Sequence, residues 1–283
     1  MTNIEKHSLA IAACKVRMGV IESTHGAKAG HPGGSLSAAD MFTYLYFKEM
    51  RIDPKNPKWE DRDRFVLSKG HTAPGLYSTL ANRGFFPVED LKTLRHLGSY
   101  LQGHPNMNTV PGVDMSTGSL GQGVSVAAGM AKAAKYLGKD TRVYTVLGDG
   151  EIAEGEVWEA FLFAAHYKLD NLCVIIDLNG LQIDGATKDV MNTDPVNDKM
   201  KAFGFNVVEI DGHNYDEIEA AFDAFHACEG KPTAILMKTV KGKGVSFMEN
   251  RAEWHGKAPN EEQYETAMSE LRAQLAEVEA ADE

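Results

Sequence analysis

Short apolar runs punctuate this chain at residues 64–67, 143–147, 172–176, 206–210 and 233–238, each closed by glycine, asparagine or charge. They have the length and bounds of strands. Between them the apolar period lengthens. Leu9, Ala12, Ala13, Val16 and Val20 recur at helical spacing over 4–23, and further helices are predicted at 74–83, 88–96 and 216–227. A helix-length amphipathic segment also separates the runs at 143–147 and 172–176. Met41, Leu45 and Tyr46 mark another helix, which Ser35 or Ser37 could cap. Segment 100–115 has no period and reads as loop. Strands alternating with helices predict an α/β fold with a mostly parallel central sheet and helices on both faces.

Several strand candidates end in glycine turns that carry polar groups. The run at 143–147 leads into Gly148-Asp149-Gly150, and the run at 172–176 leads to Asn179. In an open parallel sheet, ligands bind at the carboxyl ends of strands, and neighbouring strands lie about 4.8 Å apart. If these two are neighbours joined by one right-handed crossover, Asp149 and Asn179 can hold one hard cation between them. One anionic and one neutral oxygen suit magnesium, calcium or manganese better than zinc. Two protein oxygens, a backbone carbonyl just beyond Asn179, a water and two diphosphate oxygens complete an octahedron. A helix-capping Asp and a turn Asn are the plainer reading.

Thr117–Gly123 (TGSLGQG) opens a helix with Leu120, Val124, Ala127, Ala131 and Ala134 on one face. Its glycines either let a diphosphate approach backbone N–H groups or only allow tight packing. HGAKAGHPGGSLS (25–37) is too glycine-rich to be regular. A lone histidine in such a turn is more often satisfied than functional.

The formal net charge of −11 removes the basic footprint that nucleic acid or an anionic membrane needs. From Glu249 onward there are 10 acidic and 3 basic residues, so residues 261–283 read as a solvated acidic helix appended to a domain at 1–260. Cys14, Cys173 and Cys228 are too widely spaced for a metal motif and fit reduced core positions of a cytoplasmic protein. No signal-peptide core and no membrane-length apolar run is found.

GDG at 148–150 followed by N-G-x-x-I-D-G at 179–185 resembles the thiamine-diphosphate motif of transketolases. The resemblance extends to A-G-H-P-G at 29–33, S-K-G-H at 68–71, G-H-P at 103–105, T-G-x-L-G-Q-G at 117–123 and H-G-x-x-P at 255–259, in family order. It implies metal ligation by Asp149, Asn179 and the Leu181 carbonyl. It places His71, Gly118 and Gly150 beside the diphosphate, with Leu120 and Ile183 propping the bent cofactor. His31, His104 and His255 are implied to bond the sugar, and Glu154 and Glu159 to be interface acids linking two active sites. Five helical positions separate those acids, so each addresses a different partner; a helix-start acid would explain Glu154 alone. Ser119 stands where many transketolases have proline. Lys241, placed among the cofactor contacts, stands where an apolar contact is common.

The family also needs a glutamate from a pyrimidine-binding domain, and no such domain follows residue 260. The resemblance therefore implies the N-terminal subunit of a split transketolase. It would join a separate C-terminal subunit in an α2β2 assembly that works on sugars or sugar phosphates. The alternatives are a deoxyxylulose-phosphate-synthase-like enzyme, a 2-oxo-acid dehydrogenase α-subunit, and a non-catalytic homologue.

Overall fold

The computed structural model describes residues 1–281; the last two positions of the expected acidic tail lie outside the described residues. Five strands, β1 (Arg64–Leu67), β2 (Val143–Gly148), β3 (Leu172–Leu178), β6 (Asn206–Asp211) and β7 (Thr233–Lys238), form one all-parallel sheet in the order β1-β2-β3-β7-β6. A small antiparallel pair, β4 (Leu181–Gln182) and β5 (Gly185–Ala186), projects beyond β3.

Successive side chains of a strand point to opposite faces, and both faces here are covered. Phe65, Leu67, Tyr144, Val146, Ile175 and Met237 pack under α1 (Asn3–Ala27), α3 (Ala39–Tyr44), α4 (Ala73–Arg83) and α9 (Tyr215–Ala227). Val66, Val143, Leu147, Val174, Ile176 and Leu236 pack under α5 (Gln122–Tyr136), α6 (Gly155–His166) and α8 (Val196–Ala202). Two-sided burial is why these strands read as near-continuous apolar runs. The remaining helices are α2 (Pro32–Ser37), α7 (Thr187–Val190) and α10 (Glu261–Ala280).

Four expectations change. Residues 32–37 are helical despite two glycines: Pro32 opens α2, whose side chains are all buried. Ser35 and Ser37 do not cap a following helix. Their hydroxyls donate back to His31 O and Gly34 O, and Ser37 also donates to Asp177 Oδ2 at 2.6 Å. Segment 88–93 is a 3-10 helix, not a full α-helix. Cys14 and Cys173 are buried, but Cys228 caps α9 and is only half-buried.

The acidic tail is solvated on one side only. A capping box between Asn260 and Gln263 starts α10. Ala267, Met268 and Leu271 then pack with Val20, Ile21, Val245, Met248 and Trp254. Glu270 accepts from Ser246 N at 2.7 Å, and Gln274 Nε2 donates to Gly244 O at 2.8 Å. The tail thus braces the loop after β7. Among the described residues no helix is long and apolar enough to cross a membrane.

Candidate cofactor and metal site

Strands β2 and β3 are neighbours in register, Gly148 opposite Asp177, so Asp149 and Asn179 leave adjacent strand ends together. Asp149 is tied to both turns. Gly150 N donates to Oδ1 at 2.8 Å and Gly180 N to Oδ2 at 2.6 Å. Burial, and then the charge of Asp177, push the Asp149 carboxyl up to about 6 despite those N–H groups. Asn179 is held by its own turn: Leu181 N donates to Oδ1 at 3.1 Å, and Nδ2 donates to Asp177 Oδ2 at 3.2 Å.

The Leu181 carbonyl, the third expected ligand, accepts from Lys241 Nζ at 3.0 Å. Lys241 is almost fully buried, 2% exposed, and burial pulls its pKa down to about 8 against the favourable charges of Asp149 and Asp177. A cationic group therefore already sits on this carbonyl, within the electrostatic reach of the Asp149 and Asp177 charges. That donor chemistry fits a hard cation bound partly through phosphate oxygens.

Two buried acids that the sequence reading passed over organise the surroundings. Asp177 pairs with Lys69 Nζ at 2.5 Å and accepts from the hydroxyls of Ser37 and Thr239. Burial alone would raise its pKa, but Lys69 and these donors outweigh it and hold Asp177 ionised. Glu151 accepts from Ser68 Oγ at 2.5 Å, Gly121 N at 3.0 Å and Gly148 N at 3.0 Å. It thereby joins the S-K-G-H, T-G-S-L-G-Q-G and G-D-G turns. The signal was present in position: Lys69 lies inside one quoted motif, and Glu151 directly follows another.

Three of the four expected histidines form one cluster. Ring centroids lie 5.2 Å apart for His31–His71, 5.4 Å for His31–His255 and 5.0 Å for His71–His255. Burial lowers the pKa of His31 to about 4, of His255 to about 3, and of His71 well below its usual value. All three are neutral imidazoles near pH 7. Lys241 Nζ lies 3.0 Å from His255 Nδ1 and can only donate, so His255 carries its proton on Nε2. Nδ1 of His31 is buried with no partner, an orphaned polar atom inside the cluster.

His104 reaches the same region from loop 100–115. Tyr77 OH donates to its carbonyl at 2.8 Å. Gly118, at φ +150°, lies so close that a Cβ would come 2.9 Å from the His104 ring. Glycine is required there on both counts. Gly150 is less constrained: its φ is −71°, and a Cβ would lie 3.1 Å from the Gln182 side chain.

The remaining expected residues lie on the surface. Leu120 and Ile183 are exposed, Ile183 to 68%. Glu154 and Glu159 are exposed as well, but their spacing differs from the expectation. A 3-10 turn, Glu151–Ala153, precedes α6, and Glu154 is its extended N-cap without a side-chain cap bond. Only Glu159 is helical, so the five-position argument does not apply. A cavity of about 660 Å³ lies elsewhere, by Arg62, Arg64, Val110 and Met130 near the start of β1, away from the titratable cluster at the strand ends.

Comparison with known proteins agrees with this fold and with the order of the motifs. The family profile described as "Transketolase, thiamine diphosphate binding domain" matches residues 8–277. The chain is 48% identical over 242 residues to the 6-deoxy-6-sulfo-D-fructose transketolase subunit of Clostridium sp. strain MSTE9, covering 86% of this chain and 88% of that protein. It is 44% identical to an apulose-4-phosphate transketolase subunit of Phocaeicola vulgatus, over 98% of both chains. The crystal structure of Campylobacter jejuni transketolase superposes with a TM-score of 0.88 at 34% identity, covering 95% of this chain and 45% of that one. With parallel-sheet architecture, motif order and near-complete coverage in agreement, this chain belongs to the transketolase family as a thiamine diphosphate binding domain.

Proposed function

We propose that the chain is the N-terminal, diphosphate-binding subunit of a two-chain transketolase, moving a two-carbon ketol unit from a ketose or its phosphate to an aldose. The observation that carries this reading is the meeting of Asp149, Asn179 and the Leu181 carbonyl with three neutral histidines at one end of the sheet. Asp149, Asn179 and Leu181 O would hold the divalent cation, magnesium first and calcium or manganese by the same oxygen chemistry. His71, Gly118 and Gly150 would line the diphosphate, Lys241 would add charge beside it, and Leu120 and Ile183 would support the rings. When bound, thiamine diphosphate would supply a nucleophilic carbon, formed by loss of its ring proton, and a cationic ring able to act as the electron sink for carbon–carbon cleavage. His255 presents Nε2–H as a donor, and His31 and His104 offer neutral ring nitrogens to sugar hydroxyls. Such groups can take up a hydroxyl proton and return it near pH 7.

The activating glutamate would come from a separate C-terminal subunit, in an α2β2 assembly in the cytoplasm. Support comes from relatives named as subunits that align over nearly their whole length. The exposed Leu120, Ile183, Glu154 and Glu159 support it too. Residues 1–260 would form the body of the binding domain, with α10 packed on it as part of the same core. Co-expression with a chain carrying the pyrimidine domain tests this: aldose-dependent ketose cleavage is expected from the pair and not from either chain. Turnover by this chain alone would end the split-subunit reading, and pyruvate-dependent release of CO2 would identify the synthase instead.

A further inference from the structure

Behind Lys241, two turns that carry no expected ligand come into contact. Strand β6 ends at Asp211, and Gly212 presses its turn against the end of β7. A Cβ on Gly212 would lie 2.6 Å from Thr239 Cγ2, and Gly212 N donates to Lys238 O at 2.8 Å. This approach delivers His213 to the backbone just before Lys241, where Val240 N donates to His213 Nε2 at 3.0 Å. A ring nitrogen that accepts carries no proton, so His213 donates from Nδ1, which lies 2.7 Å from Asp40 Oδ2. Asp40 is buried and pairs with the buried Arg17 at 2.5 Å, while Tyr215 OH reaches Asp40 Oδ1 at 3.4 Å. One line of bonds therefore runs from α1 through α3 and the β6 turn to a single peptide N–H. The next side chain along is Lys241, which holds Leu181 O and His255 Nδ1.

We propose that His213 is the positioning residue for Lys241. Asp40, anchored by Arg17, fixes the ring's proton on Nδ1. The free Nε2 lone pair then fixes the Thr239–Val240 peptide, and through the one residue between them the reach of the Lys241 ammonium to the cofactor end of the site. This rests on the reading of Lys241 as a neighbour of the bound diphosphate. Among the described residues the His213 ring bonds Asp40 and the Val240 N–H, so it would act on Lys241 through backbone.

The test is equilibrium binding of thiamine diphosphate with Mg2+ to the full chain in complex with its partner subunit, measured calorimetrically. His213→Asn keeps a donor near Asp40 but falls short of Val240; affinity should drop about tenfold, the scale of losing an outer support of a metal site. His213→Gln puts an acceptor back at the outer position and should recover to within about threefold of wild type. In a Lys241→Met background, H213N should change affinity less than about twofold, because the two residues act as one unit. If H213N is not recovered folded, Asp40→Glu, which keeps the counter-charge of Arg17 but shifts the carboxylate off the His213 ring, takes its place in the same cycle. Wild-type affinity in H213N, equal losses in H213N and H213Q, or an undiminished H213N effect beside K241M would each overturn the proposal. A wild-type complex that binds no thiamine diphosphate would overturn the cofactor reading together with it.

Discussion

The ammonium of Lys241 lies 3.0 Å from the main-chain oxygen of Leu181, the oxygen that the family resemblance assigns to a metal ion. That contact is held against the lysine's own preference, since burial pulls its pKa to about 8 from 10.5. A base whose folded pKa is depressed leaves the unfolded chain binding more protons between those values. Stability from this group therefore rises with pH over roughly 8 to 10.5. Lys241→Met should stabilise the cofactor-free chain at pH 7.5 by about 1–3 kcal/mol. The gap to wild type should close towards pH 10. Urea unfolding at the two pH values measures it, and a less stable K241M at pH 7.5 would mean that the bonds to Leu181 and His255 outweigh the burial cost.

Asp149 carries the complementary cost. Its folded pKa of about 6 lies above the ordinary 3.8, so the native state binds more protons between them and this contribution falls as pH rises through that window. Asp149→Asn keeps an oxygen for the Gly180 N–H and removes the charge. The cofactor-free variant should gain about 1–3 kcal/mol at pH 7.5, with the gain vanishing towards pH 4. Magnesium-dependent binding of thiamine diphosphate should weaken by more than about 100-fold. Calorimetric titration decides the second part; undiminished affinity would remove Asp149 from the metal site. Loss of function with a gain in stability is the signature of a site kept charged for its ligand.

The tail helix has a different role from the one its charge implied. Leu271 is fully buried against α1 and the loop after β7. Leu271→Ala should cost about 2–5 kcal/mol. Glu277→Ala, on the exposed side of α10, should stay within about 0.5 kcal/mol. Chemical denaturation of the two variants compares them directly; equal effects would return the tail to a solvated appendage.

What could be read from sequence follows from which interactions are local. The strands at 64–67 and 233–238 have the predicted bounds because a strand buried on both faces leaves an uninterrupted apolar run. Asp149 and Asn179 were legible because one crossover fixes their neighbourhood. Helix α2 was not. Its glycines argue against a helix, and what overrides them is burial and long-range bonding, including Ser37 to Asp177 across 140 positions of chain. The Lys69–Asp177 and Arg17–Asp40 pairs were invisible for the same reason: each joins elements far apart in sequence, and neither has a local period. Glu154 was misplaced by a single 3-10 turn, a boundary effect that hydrophobic spacing does not register.

Arg17–Asp40 makes a prediction free of the cofactor. Burial would raise the Asp40 carboxyl, but Arg17 and the His213 ring outweigh it and hold the pKa down to about 2. An acid with a depressed folded pKa contributes stability that is complete above its unfolded value of 3.8 and is lost as pH falls through the folded one. The shift corresponds to about 2 kcal/mol, released between roughly pH 4 and pH 2. Asp40→Asn leaves Arg17 buried without its counter-charge and should cost about 3–5 kcal/mol at pH 7. Its disadvantage against wild type should then shrink by about 2 kcal/mol as the pH falls from 5 to 2, because wild type loses there what the variant never had. Denaturant midpoints across that range provide the measurement. A gap that stays constant with pH would show that the pair packs α1 against α3 through shape alone, and that the charge on Asp40 does not hold the His213 ring in place.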